Sequence, residues 1–282
     1  MDKSDTKNII NNHYKKLDKF IKIVNKHFKA EAIHLLRVEY KKLRAFLRMI
    51  SEEKDSREKI TIPGKLKKGY HIAGTIRDLQ LQHQRILAVI KDETKKPRAY
   101  LKLLTQHIKK LKPGFSNIPQ KRTIKKTIKK TNELAPEKIN TTHPGKFINH
   151  NCMAITAIIT SRDFTDVNMH AIRKHLKDIF YTIRELEEAA FNTHAITKDE
   201  MEYFDKFLEE MGNFQDKCTS LALLDEQWLH SLNSLEQQIL ISISETFTAD
   251  KYTIRNDLVN KLENEIIPHL QVFQNVDIHP AN

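Results

Sequence analysis

Residues 33–50 read IHLLRVEYKKLRAFLRMI, and the placing of charge along this stretch decides the fold. Ile33, Leu36, Tyr40, Leu43, Leu47 and Ile50 recur at three- and four-residue steps, which gather side chains on one face of an α-helix. His34, Arg37, Lys41, Arg44 and Arg48 recur at the same steps. At about 100° per residue they fall within an arc of roughly 80°, centred roughly 110° from the apolar stripe. Val38, Ala45 and Met49 flank the basic stripe on its far side. A solvated face would lie opposite the apolar one and be polar throughout. A basic row held between apolar neighbours points instead to a cleft.

The rest of the chain is suited to helices as well. Of 282 residues, 39% are hydrophobic, enough for a core, and only 6 are Gly and 8 Pro. Lys, Leu, Ile and Glu are abundant, and no alternating pattern bounded by turn residues marks a strand. Periodicity and Pro/Gly punctuation predict helices over 7–29, 31–52, 64–91, 97–112 and 121–133. After LAPEKINTTHPG (134–145) they predict helices over 146–161, 166–190, 198–228, 231–247 and 251–270. The expectation is an all-α protein of two four-helix-bundle-like halves, residues 1–135 and 136–282.

The opening MDKSDTKNII lacks the apolar core of a signal peptide. The longest strongly apolar run, near Ala154 to Ile159, is too short to span a bilayer. Cys152 and Cys218 have no paired-motif spacing. A reduced, cytoplasmic protein that does not enter a membrane is expected.

Charge is divided unevenly. Residues 1–135 hold 35 Lys and Arg against 13 Asp and Glu, a net of +22, whereas the remainder holds 13 against 23, a net of −10. So basic a first half reads as a surface for a polyanion. KRTIKKTIKK (121–130) adds Lys125 and Lys129 to the organised cations of that half.

Residues 169–186, MHAIRKHLKDIFYTIREL, repeat the pattern of 33–50. His34 aligns with His170, Arg37 with Arg173, Lys41 with Lys177 and Arg48 with Arg184, and the apolar stripe aligns too; only Arg44 is replaced, by Phe180. Further on, GTIRDL (74–79) aligns with GNFQDK (212–217), pairing Gly74 with Gly212 and Asp78 with Asp216, while Arg77 faces Gln215. Two motifs in the same order at nearly the same separation point to a duplication with approximate two-fold symmetry. Each glycine, unfavourable in mid-helix, is expected to permit close packing or a kink.

A helix reading His-x-x-Arg-x-x-x-Lys, present twice, each followed by a Gly-x-x-x-Asp element, resembles the CHAD family, the conserved histidine α-helical domain. The similarity runs over roughly residues 8 to 270. It implies two four-helix bundles around a basic central groove or pore that binds inorganic polyphosphate, and an association of some members with polyphosphate granules. Some relatives carry a triphosphate-tunnel domain; its Glu-x-Glu-x-Lys motif does not occur here, so the chain looks like a stand-alone member.

Burying this many cations without partners would cost several kcal/mol each, so an anion is required. Arg offers it a fork of donors and Lys a flexible point charge. The residues assigned to it are His34, Arg37, Lys41, Lys42, Arg44, Arg48, Arg77, Lys125, Lys129, His170, Arg173, Lys177 and Arg184. No P-loop, His-Glu-x-x-His motif or Cys/His metal spacing is present, so no catalytic residue, metal or cofactor is expected. Nucleic acid is the second reading. Only 7% of residues are aromatic, and they show no interleaving with the basic ones of the kind that stacks bases. A regulatory or scaffold module is the third.

Overall fold

Helix ends follow from local chemistry. In the computed structural model, which describes residues 1–52, 59–118, 121–140, 142–188, 191–194, 197–274 and 277–280, α1 (Lys3–His27) opens on a reciprocal cap. Asp2 accepts from the Asp5 amide and Asp5 from the Asp2 amide. Phe28, in left-handed backbone at φ 49°, stops it and turns the chain into α2 (Ala30–Met49). Then come α3 (Gly64–Val89), a 3-10 turn at Glu93–Lys95, α4 (Arg98–Ser116) and α5 (Lys121–Leu134). The second half holds α6 (Thr142–Ser161), α7 (Asp166–Glu188), α8 (Lys198–Ala222), α9 (Glu226–Leu229), α10 (Ser234–Lys261) and α11 (Ile267–Gln274). Thr197 and Glu200 form a second capping box, for α8.

The structure departs from the sequence expectation in several places. Helix α4 runs through Pro113 to Ser116, rather than stopping at 112. Helix 198–228 is two pieces, broken after Ala222. The pair expected at 231–247 and 251–270 is one continuous rod, in which a π-turn at Leu262–Ile266 leads into α11. Pro268 has no N–H to give, and a π-turn just before it absorbs the missing bond. Two four-residue strands, β1 (Phe191–His194) and β2 (Asp277–Pro280), pair antiparallel, with Asn192 opposite His279. Strands this short carry too few residues for a two-residue period to show in sequence.

Three apolar cores hold the helices. One joins α1, α2, the first half of α3 and the end of α4 around Tyr14, Leu43, Phe46 and Phe115. A second joins α6, α7, α8 and the rod's end around Ile179, Phe180, Phe204 and Phe273. The third takes Leu79, Ile86, Tyr100 and Leu104 from the first half and Leu224, Leu240 and Phe247 from the second. The Tyr100 hydroxyl donates to the Leu223 carbonyl at 2.6 Å across this third core. Helix α2 packs directly on α7, and α3 approaches α8. These contacts bring the basic stripes together.

Candidate functional site: a cationic cluster between α2, α3 and α7

Helix α2 buries Ile33, Leu36, Leu43 and Leu47 in the first core. That packing turns its basic stripe toward α7 and leaves His34, Arg37, Lys41 and Arg44 half-buried. Helix α7 buries Ile172, Leu176 and Ile179 in the second core and brings Arg173 and Lys177 to the same junction. Arg77 joins from α3.

Crowding of like charge in a poorly solvated space sets the electrostatics. Burial pushes the Lys41 ammonium down to about 6, and Lys177, Arg37, Arg173 and Arg44 push it the same way. Lys177 is pushed down to about 8 by burial, then by Arg173, Arg77 and Arg37. Burial and the charge of Arg77 lower His34, which favours the neutral imidazole. Arg77 and Arg173 are themselves lowered, chiefly by burial. Against these cations stand Asp78 and Asp216. Burial raises the Asp78 carboxyl despite the pull of Arg37, and Asp216 is taken at 2.6 Å by Arg85.

Two arginines lie over glycines. A Cβ at position 74 would come within 1.7 Å of Arg37 Nη1, and one at position 212 within 3.1 Å of Arg173 Nη2. The glycines are therefore beds for the guanidinium groups rather than kinks. Arg37 is held further by its Nη1 donating to the Tyr70 carbonyl at 3.2 Å and by the Tyr70 ring, 4.6 Å from its guanidinium carbon. Tyr70 stacks on Tyr40 at 4.2 Å. The Nε atoms of Arg44, Arg77 and Arg173 are buried without a hydrogen-bond partner among the described residues.

Arg44, which also acts on Lys41, reaches toward Asp178, and the remaining sequence candidates are placed away from the cluster. Arg48 donates to Asp178 at 2.6 Å, and Arg44 approaches the same carboxylate at 3.9 Å. Both border a cleft of about 260 Å³ that Lys67, Tyr70 and His71 also line. Lys42 lies off the stripe, on another side of α2. Arg184 pairs with Asp205 at 2.5 Å, and His170 is exposed and bonded to Gln215 at 2.7 Å. Lys125 and Lys129 are exposed on α5, which packs on α1. Phe180, at the place of Arg44 in the repeat, is buried against Phe204 and Phe273 in the second core.

Sequence reasoning missed Lys174, lowered by burial and by Arg48 and Arg44. It missed Tyr70, Tyr181 and Asp178 too. Lys174 stands beside Arg173 in the chain, and its basic character was the available signal. The partners of Asp178, Arg48 and Arg44, stand on α2, so no spacing within α7 signals it. Among the described residues no group of three or more His, Cys, Asp or Glu side chains could hold a metal ion, and no helix is long and apolar enough to cross a membrane.

A family model, the CHAD domain, matches residues 8–225. The chain belongs to the CHAD family. The crystal structure of the CHAD domain from the plant Ricinus communis superposes with a TM-score of 0.63 at 13% identity, over 98% of this chain and 94% of that one. At such low identity the likeness speaks for the fold, which in this CHAD protein extends through α10 and α11 beyond the residues the family model matches. No curated protein matches the sequence.

Proposed function

We propose that this CHAD protein binds inorganic polyphosphate, without cleaving it, at the cationic cluster between α2, α3 and α7. The reading includes a duplicated origin, in which Arg37 over Gly74 and Arg173 over Gly212 are repeat-mates facing one basic groove. The observation that carries it is the crowding of Lys41 and Lys177 among Arg37, Arg77 and Arg173, with Asp78, Asp216 and, toward Arg77, Glu31 as the opposing carboxylates among the described residues. Uncompensated cations in a half-buried space demand an external anion. A polymer with about one charge per phosphate supplies many at once and suits the guanidinium forks.

The test is titration with long-chain polyphosphate. Arg37→Glu with Lys41→Glu, and separately Arg173→Glu with Lys177→Glu, should each weaken binding well over tenfold, since charge-assisted hydrogen bonds contribute roughly 1.5–3 kcal/mol apiece. Lys15→Glu with Lys19→Glu, on the exposed face of α1, controls for net charge. Lys3 is a poorer control because it pairs with Glu137. Helical circular dichroism checks folding. Equal losses in all three variants would reduce the binding to diffuse electrostatics. Displacement by DNA at equal phosphate equivalents would favour the nucleic-acid reading, and orthophosphate release that copurifies with the protein would overturn the non-catalytic one.

A further inference from the structure

We infer that Arg85 is a positioning residue for the anion site: it holds the Asp216 carboxylate away from Arg173 and so keeps that guanidinium free for polyphosphate. The inference rests on the function proposed above. Asp216 follows Gly212 by four positions on α8, which sets the two on one face of the helix, about 5–6 Å apart at their Cβ positions. Arg173 lies over that face, its Nη2 3.1 Å from where a Cβ at position 212 would stand. Asp216 is therefore the carboxylate that α8 offers to Arg173. The structure pairs it with Arg85 Nη2 at 2.6 Å instead. The Arg173 Nε is left buried with no hydrogen-bond partner among the described residues.

Arg85 reaches Asp216 from α3 with its direction fixed. Its Nη1 donates to the Ser220 hydroxyl at 3.0 Å while its Nη2 takes the carboxylate. Ser220 stands one further turn along α8, is fully buried, and its carbonyl accepts from the Gln82 amide at 3.4 Å. A guanidinium pinned at two points one turn apart keeps an orientation that an isolated surface pair lacks. The clamp is one-sided. Seven positions after Asp78 comes Arg85, but seven after Asp216 comes Leu223, so the repeat gives Asp78 no matching guanidinium. Burial instead raises the Asp78 carboxyl toward its neutral form. The two repeat-mate carboxylates are thus kept from cancelling the cluster in different ways, one by burial and one by Arg85.

The direction of Asp216 decides how much positive charge the cluster offers, because its carboxylate bears on Arg77, Arg173 and Lys177. Held by Arg85, its charge is largely offset there. Released, it would turn to Arg173 and give that guanidinium a partner within the protein. Polyphosphate would then have to displace a carboxylate in order to bind, losing most of what an unpaired arginine contributes. Arg85 acts on the ligand only through Asp216.

The experiment is a double-mutant cycle on the full-length protein, read by titration with long-chain polyphosphate at fixed salt. Arg85→Gln should weaken binding about tenfold, whereas Asp216→Asn, alone or together with Arg85→Gln, should stay within about twofold of wild type. Diffuse electrostatics would instead make the two changes add, with Asp216→Asn strengthening binding by as much as Arg85→Gln weakens it, and that outcome overturns the inference. Arg85→Lys, which keeps the charge and one bond, should recover most of the affinity. A crystal structure of Arg85→Gln should show the Asp216 carboxylate on the Arg173 guanidinium, and one that leaves it pointing away also overturns the inference. Circular dichroism checks folding, and Arg85→Met, which keeps the aliphatic stem, runs the same cycle where the glutamine variant does not fold. If wild type does not bind polyphosphate while Asp216 still moves onto Arg173 in the variant, the clamp stands and the proposed function falls.

Discussion

Arg37 lies over the strip of helix that Gly74 leaves bare, its Nη1 only 1.7 Å from where a Cβ at position 74 would stand. The two residues are 37 positions apart in sequence and on different helices, yet they behave as one element: the glycine exists for the arginine. Gly74→Ala should therefore separate stability from binding. Alanine gains about 1 kcal/mol of helix propensity, and the clash falls on the end of a flexible side chain, so thermal stability should hold or rise. The guanidinium, displaced from the Tyr70 carbonyl and ring, should lose its contact with the anion, and polyphosphate affinity should drop roughly tenfold. Gly212→Ala should do less, because Arg173 Nη2 stands at 3.1 Å. Titration beside thermal melts checks this. A Gly74→Ala protein that melts much lower at unchanged affinity would show that the glycine serves packing alone.

Polyphosphate binding should take up protons. In the free protein Lys41 is at about 6 and Lys177 at about 8. A bound polyanion favours the charged amines and moves both back toward the ordinary 10.5. The bound state then holds more protons than the free state above about pH 6, so affinity falls as pH rises from there. Calorimetry at pH 7.5 in two buffers of different ionisation heat should report uptake of about one proton or more. Lys41→Met should remove most of it. Identical heats in both buffers would contradict the linkage.

How far the site could be read from sequence depends on how many helices each feature needs. Arg37, Lys41, Arg173 and Lys177 were legible because each stripe follows from the 3.6-residue period of a single helix, and the pairing of stripes from the repeated pattern. The fate of Arg44, Arg48 and Arg184 was not. Arg48 goes to Asp178 across the α2–α7 junction and Arg184 to Asp205 on α8, and no single-helix period reveals a partner on another helix. Phe180 could be read as a gap in the second basic row, but its place in the Phe204–Phe273 cluster depends on tertiary packing. The fold was legible as helices. The π-turn before Pro268 and the β1–β2 pair were not, since both are settled by backbone hydrogen bonds without a side-chain pattern.

His13 illustrates the same limit and sets a pH dependence of stability. It is 3% exposed, with Nδ1 at 2.7 Å from Glu39 of α2 and Nε2 at 3.1 Å from Glu185 of α7. Burial alone would lower it, but the hydrogen bonds and charges of Glu185 and Glu39 prevail and raise it to about 9. A group raised on folding stabilises fully below its unfolded value, here 6.5, and loses that contribution as pH climbs through the folded one. The unfolding free energy should thus fall by on the order of a few kcal/mol between pH 6 and 10. Lysines of the cluster titrate in the same range with the opposite sign, so the quantity to measure is the difference between wild type and His13→Asn in urea melts. That difference should shrink with rising pH. One that is flat across the range would mean His13 is not charged in the fold.

Glu236 provides the last test, because one side chain closes an interface between the halves. It is 9% exposed at the start of α10, and its two carboxylate oxygens accept from the amides of Ala99 at 3.0 Å and Tyr100 at 3.1 Å. Those are free amides of the first turn of α4, where Pro97 offers no side-chain cap. The carboxylate therefore acts as an N-cap supplied from 137 residues away, and its charge also suits the positive end of the α4 dipole. Glu236→Ala leaves two amides unmatched beside the third core and should cost about 2–3 kcal/mol. Glu236→Gln keeps an acceptor but not the charge and should cost about half as much. Urea denaturation gives both values. Glu236 makes its hydrogen bonds to Ala99, Tyr100 and Asn233 and to none of the described cationic side chains between α2, α3 and α7, so polyphosphate affinity below the melting range should be unchanged in both variants. A loss of binding in a still-folded Glu236→Gln protein would show that the third core transmits strain to the cationic site.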